Sequence, residues 1–170
     1  MLVYVDNIII SGNDAIEVSK IKDFLAQKFY TKALGKLKYF LGIKVARSSR
    51  GIFLSQQKYA LDILKDTGLL AGRVSHFPME QQLRLSSTDG DLLPNPSSYR
   101  CLVAWLIYLT VTKPDIVFAV HVLSRFMHEP RTTHMDAAIR VLRYLKGSLG
   151  KGILLSSTSD LHIRGYYDAD

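Results

Sequence analysis

Apolar and polar positions follow two periods along this chain, and each change of period marks a predicted element. The chain opens Met1-Leu2-Val3-Tyr4-Val5-Asp6-Asn7-Ile8-Ile9-Ile10-Ser11-Gly12. Two β-branched runs flank one polar pair. That pattern predicts two buried strands joined by a tight turn at Asp6-Asn7, because Asp and Asn tolerate positive φ. Gly12 ends the second strand. Asp14-Ala15-Ile16-Glu17 has capping-box-like spacing and predicts a helix start. Ile21, Phe24, Leu25 and Phe29 then share one helical face, with Lys20, Lys22, Asp23 and Lys28 largely away from it. A helix packed on a sheet is expected.

The strand period returns over Leu34–Arg47 and again at Ile52-Phe53-Leu54, around the turn Ser48-Ser49-Arg50-Gly51. This predicts a β-hairpin, and Gly42 inside the first run marks a bulge or a close backbone approach. Ser55 is expected to cap a helix that reaches about Lys65 and stops at Gly68. From Ala71 to Ser98 the pattern dissolves into Pro, Gly, Ser and Asp. A stretch that long without periodicity predicts a linker between lobes, at residues 71–97.

Three amphipathic helices are predicted next. The first spans about Ser98 to Thr110 with the stripe Tyr99, Leu102, Val103, Leu106 and Leu109. Pro114 ends it and suits the first turn of the second, which carries Ile116, Val117, Val120, Leu123 and Met127 and stops before Pro130. The third takes Thr133 and Asp136 as its cap, Ala138, Val141, Leu142 and Leu145 as its stripe, and Gly147 as its stop. Short connections predict antiparallel neighbours in a small bundle. Lys151–Leu155 and Leu161–Tyr167 read as two strands around a Ser/Thr-rich turn. The fold class is therefore α+β: hairpins with one packed helix, a helical lobe, and a terminal pair of strands.

Composition narrows the function classes. At 170 residues and 48% hydrophobic, the chain has enough apolar side chains for a core. Its net charge of +7 and pI near 9.5 favour a polyanionic partner, nucleic acid before an acidic membrane. The lone Cys101 excludes an intrachain disulfide framework and fits a reducing, cytoplasmic or nuclear setting. No apolar run reaches transmembrane length, and Met1 leads straight into a strand with no signal-peptide pattern. A chain that opens inside a strand and stops at Tyr166-Tyr167-Asp168-Ala169-Asp170 is expected to be cut at both ends.

Candidate chemistry is sparse. No phosphate-cradling Gly-rich loop, nucleophile elbow or HExxH is present. His121, His128, His134, Glu129 and Asp136 invite a metal reading, but His121 and His128 stand two helical turns apart, too far to chelate together. Arg140, Arg143 and Lys146 recur every three residues on the third helix, with Lys151 just beyond. A basic face of that kind tracks a phosphate backbone, or is simply a solvated face near the negative helix end.

The hairpin tip carries the most specific signal. Tyr4-Val5-Asp6-Asn7 resembles the Tyr-X-Asp-Asp box of reverse transcriptases, most closely the Tyr-Val-Asp-Asp form of Ty1/copia-type retrotransposons. The resemblance extends over essentially the whole chain, through Tyr39–Val45, Gly51–Asp62 (with Ser55-Gln56-Gln57-Lys58-Tyr59-Ala60), Arg100–Ala119 and Arg140–Gly147. It implies the end of a polymerase palm over residues 1–70, a helical thumb or connection lobe over 98–148, and the start of an RNase H domain over 149–170. It implies a template–primer of RNA and DNA as partner, Mg²⁺ or Mn²⁺ as the metal, and no small-molecule cofactor or membrane.

Residue by residue, the resemblance makes Asp6 a metal ligand, and makes Asp168 the first metal-binding Asp of RNase H. It places Tyr39, Phe40, Leu41 and Gly42 in the hairpin that grips the primer end. Ala104 and Trp105 fall on a helix that approaches the template–primer minor groove. This chain has Asn7 where the family has a second Asp, and Ala104 and Trp105 where the family typically has Gly and a different residue. Nucleotidyl transfer uses two divalent metals about 3.5–4 Å apart, and Asn offers them a neutral carbonyl instead of a charge. The expected result is a reverse transcriptase fragment without catalytic activity, or a non-catalytic nucleic-acid-binding module using the basic helical face.

Overall fold

The first apolar runs do pair. In the computed structural model, which describes residues 1–159, β1 (Leu2–Tyr4) lies antiparallel to β2 (Asn7–Ile9) in the register Leu2↔Ile9, Val3↔Ile8, Tyr4↔Asn7. That register puts Val5-Asp6 in the turn rather than Asp6-Asn7, and the positive φ of 48° falls on Val5. A β-branched residue resists that conformation. A two-residue turn accepts the strain because its backbone must twist with the flanking strands.

Asp14 starts the first helix as expected. Its Oδ1 accepts from the amides of Ile16 (2.8 Å) and Glu17 (3.2 Å), capping α1 (Ala15–Lys28). The strands were expected to be buried and the helix to be packed on a sheet, and neither holds. No residue from 1 to 40 is buried, and Ile21, Phe24 and Phe29 remain 40%, 57% and 61% exposed. These residues form a compact unit of their own, which also includes β3 (Tyr39–Phe40). One short hairpin and one helix cannot enclose a core between them.

The second unit begins at Leu41. Strands β4 (Ile43–Ser48) and β5 (Gly51–Ser55) form the expected hairpin, closed by Ser49-Arg50 in the register Ser48↔Gly51. The other edge of β5 pairs antiparallel with β6 (Ile153–Ser156), from Gly51↔Ser156 to Leu54↔Ile153. Gly51 and Gly152 permit that approach: a Cβ on either would run into a carbonyl oxygen, of Leu155 and Leu54 respectively. The second predicted terminal strand, Leu161–Tyr167, lies outside the described residues.

Four helices belong to the same unit. They are α2 (Gln57–Asp66), α3 (Pro96–Leu109), α4 (Val117–Ser124) and α5 (Thr132–Gly147), with a 3-10 turn at Pro114–Ile116. Their apolar stripes meet in one core that includes Ile63, Leu64, Tyr99, Leu106, Leu123, Val141 and Leu142. Each large side chain removed from water there contributes about 1.5–3 kcal/mol before entropy is counted. Helix α4 ends earlier than expected, and Val117 is 46% exposed.

Two predicted caps are also replaced. Ser55 ends β5, so the N-cap of α2 is Gln56, whose Oε1 accepts instead from Thr112 Oγ1 (2.8 Å). The N-cap of α5 is Arg131, whose amide donates to His134 Nδ1 (3.0 Å), leaving Thr133 and Asp136 no capping role. Gly68 does end α2, with φ of 70° and the Leu69 amide bonded to Leu64 O (2.8 Å).

Residues 71–95 hold no helix and are strapped to the helices. The Ser75 amide donates to Arg143 O (3.2 Å) and the Leu93 amide to Pro130 O (3.1 Å). The Arg131 guanidinium donates to Ser87 O (2.6 Å) and Gly90 O (2.8 Å). Among the described residues the chain is thus mixed α and β, with five α-helices and two antiparallel sheets, and no helix is long and apolar enough to cross a membrane.

Candidate functional site

Asp6 stands at the exposed tip of the β1–β2 hairpin, and Asn7 occupies the first position of β2 opposite Tyr4. The donor set there is one carboxylate and one neutral amide. Among the described residues no three His, Cys, Asp or Glu side chains come together to hold a metal ion. A pair of hard divalent ions needs several charged oxygens, so these residues do not fit the two-metal centre. Asp168 lies outside the described residues.

The remaining predicted contacts are dispersed. Tyr39 is 53% exposed and Phe40 half-buried, both in the first unit. Leu41 and Gly42 open the second unit with positive φ of 47° and 72°, and the Tyr108 hydroxyl of α3 donates to Leu41 O. Tyr108 in turn meets Tyr59 of α2 edge-on at 5.2 Å. Gly42 thus serves a turn pinned by an aromatic pair. Ala104 is exposed on α3, while Trp105 is half-buried against the Leu102 and Leu142 side of the core.

The basic face of α5 is largely occupied. Arg140 pairs with Glu80, and Lys146 Nζ donates to Gly72 O (2.6 Å). Both hold residues 72–80 against the helix, and only Arg143 of the three is exposed. The exposed positive charge is concentrated elsewhere. Residues 20–50 hold nine of the 22 Lys and Arg and one of the 15 Asp and Glu, a local +8, which leaves the rest of the chain at −1. All nine are exposed: Lys20, Lys22, Lys28, Lys32, Lys36 and Lys38 in the first unit, and Lys44, Arg47 and Arg50 in the second. Counting charge by window would have found them, whereas a search for helical spacing does not.

Two buried polar groups have roles that the sequence reading did not assign. Lys113 is fully buried and donates to Ser148 O (2.8 Å) and Lys151 O (3.3 Å), holding the end of α5. Burial pulls its ammonium below the ordinary lysine range, against the favourable field of Asp115. Beside it, Tyr144 donates to Asp115 Oδ2 (2.5 Å) and receives Lys151 Nζ (3.0 Å). His134 is likewise buried, stacked on Phe126 with centroids 4.0 Å apart. Because Nδ1 accepts from Arg131, Nε2 carries the proton and faces Ser86 O at 3.0 Å. Burial pulls this imidazole below its ordinary range. These groups brace the helices; they do not converge on a reacting centre.

A family model described as reverse transcriptase (RNA-dependent DNA polymerase) matches residues 1–81. Over its 170 residues the chain is 43% identical to the retrovirus-related Pol polyprotein from transposon RE2 of Arabidopsis thaliana, spanning 12% of that protein. It is equally similar, at 43% and again 12% of the length, to the Pol polyprotein from transposon RE1 of the same plant. It is 38% identical over 170 residues to an uncharacterized mitochondrial protein of Arabidopsis thaliana, of which it covers 70%. No solved structure matches the chain.

Proposed function

The chain belongs to the reverse transcriptase region of copia-type retrotransposon Pol polyproteins, and on that premise we propose that it is a non-catalytic segment whose role is contact with a nucleic-acid backbone. On this reading residues 1–70 are the end of a palm, 71–97 its connection, 98–148 a thumb or connection lobe, and 149–170 the start of an RNase H domain. The family uses a divalent metal. Here Asp6 faces that task beside a neutral Asn7, so nucleotidyl transfer is not assigned to this chain.

The observation that carries the reading is the exposed +8 of residues 20–50. Lysines and arginines that neutralise phosphates release counterions, so affinity falls linearly on a log–log salt plot. The Arg140, Arg143 and Lys146 face contributes less, because two of its three cations are already held by Glu80 and Gly72.

Fluorescence anisotropy with a labelled RNA–DNA duplex across a salt series tests this. Binding is expected to be steeply salt-dependent and indifferent to Mg²⁺. Changing Lys32, Lys36 and Lys38 together to Ala lowers the slope by up to about 0.9 for each phosphate that is no longer neutralised. The same change at Arg140, Arg143 and Lys146 lowers it less. Absence of binding at low salt rejects the reading, as does templated synthesis by the chain.

A further inference from the structure

A cavity of about 350 Å³ opens between the C-terminal end of α2 and one face each of α3 and α5. Buried Leu102 and Leu142 form its floor, half-buried Trp105 stands in its wall, and Asp66, Ser98 and Cys101 stand exposed around its mouth. Its volume lies at the small end of the range for ligand pockets. None of the basic residues 20–50 lines it, and of the proposed nucleic-acid contacts only Trp105 does.

The mouth offers acceptors and few free donors. The Ser98 hydroxyl already donates to Asn95 O (2.8 Å), and Asn95 Oδ1 accepts from the Ser97 amide (3.1 Å), so the positive end of α3 is capped. The Thr67 hydroxyl donates to Ile63 O (2.8 Å). The amides of Thr67, Gly68 and Leu69 all bond back into α2. The last carbonyls of α2 accept those bonds, so what remains is the Asp66 carboxylate, which has no hydrogen bond or ion pair among the described residues. In a chain of net charge +7, an apolar cavity with an acidic mouth selects against anions and for a cation with an apolar body.

We propose that this cavity binds a small aromatic ammonium ion, with the ring on Trp105 and the leucine floor and the ammonium on Asp66. The single Trp and single Cys of the chain both line it, so each reports on it alone. Titration of the full chain with phenethylammonium, followed by tryptophan emission, is expected to saturate and to slow alkylation of Cys101. The neutral 2-phenylethanol should bind up to about fivefold more weakly, the scale of one exposed ion pair. The anionic 3-phenylpropanoate should bind more weakly still. Asp66→Asn, a surface change that leaves the core intact, should bring the ammonium to the level of the alcohol without moving the alcohol. An unsaturable response overturns the proposal, as do equal affinities for the three probes, tightest binding of the propanoate, or an ammonium preference that survives Asp66→Asn.

Discussion

On α1, Ile21 and Phe24 stand at helical spacing and remain 40% and 57% exposed, and Phe29 just past its end is 61% exposed; on α3, Leu102, Leu106 and Leu109 stand at similar spacing and are 4%, 0% and 0% exposed. The two stripes are equally apolar, and their surroundings differ. Helix α3 is packed against α4 and α5, with α2 completing the same core, whereas within residues 1–40 only a short hairpin and a two-residue strand accompany α1. An amphipathic pattern states which face gains from burial. It does not supply the surface that buries it. The first unit therefore keeps apolar side chains in water, while the second encloses a core.

That contrast is sharpest under truncation. Leu106→Ala should destabilise the second unit by about 2–5 kcal/mol in urea unfolding, while Phe24→Ala should stay within about 0.5 kcal/mol. Equal effects would mean that α1 is buried in solution and would break the comparison. A smaller separation is expected for cations. Lys113→Ala removes a buried donor from two carbonyls and should cost about 1–3 kcal/mol. Lys20→Ala breaks only an exposed pair with Glu17 and should leave the unfolding midpoint unchanged.

The smallest effect expected is with pH. The folded His134 imidazole binds its proton more weakly than an unfolded one, so the unfolded chain takes up the extra proton as pH falls. Stability of the second unit therefore holds above the ordinary imidazole value of 6.5 and declines below it. Arg131 adds to that shift, while Asp89 and the Ser86 carbonyl oppose it. Thermal unfolding between pH 8 and 5 should show the decline, and His134→Gln should flatten it.

Much of the second unit was legible because its signals are local. The α3 stripe, the Ser48–Gly51 hairpin and the Gly68 stop each follow from residues within a few positions of one another. The misreadings arise where a distant partner decides. Gln56 became the cap position because β5 runs through Ser55, and its side chain turned to Thr112. His134 displaced Thr133 and Asp136 because Phe126 and Ser86 hold its ring. At the candidate site, Asp6 and Asn7 were legible as a hairpin end, but the register shifted the turn to Val5. The α5 cations were legible as a row, and nothing local announced that Glu80 and Gly72 would occupy two of them.

The pairing of β5 with β6 sets a timetable for the newborn chain. Residues 51–55 leave the ribosome long before residues 153–156, and at about 5–20 residues per second the delay is roughly 5–20 s. Throughout that interval Ile52, Phe53 and Leu54 sit on an open strand edge that any other extended segment can occupy. A messenger that ends before the codon for Ile153 leaves that edge unpaired for the lifetime of its product.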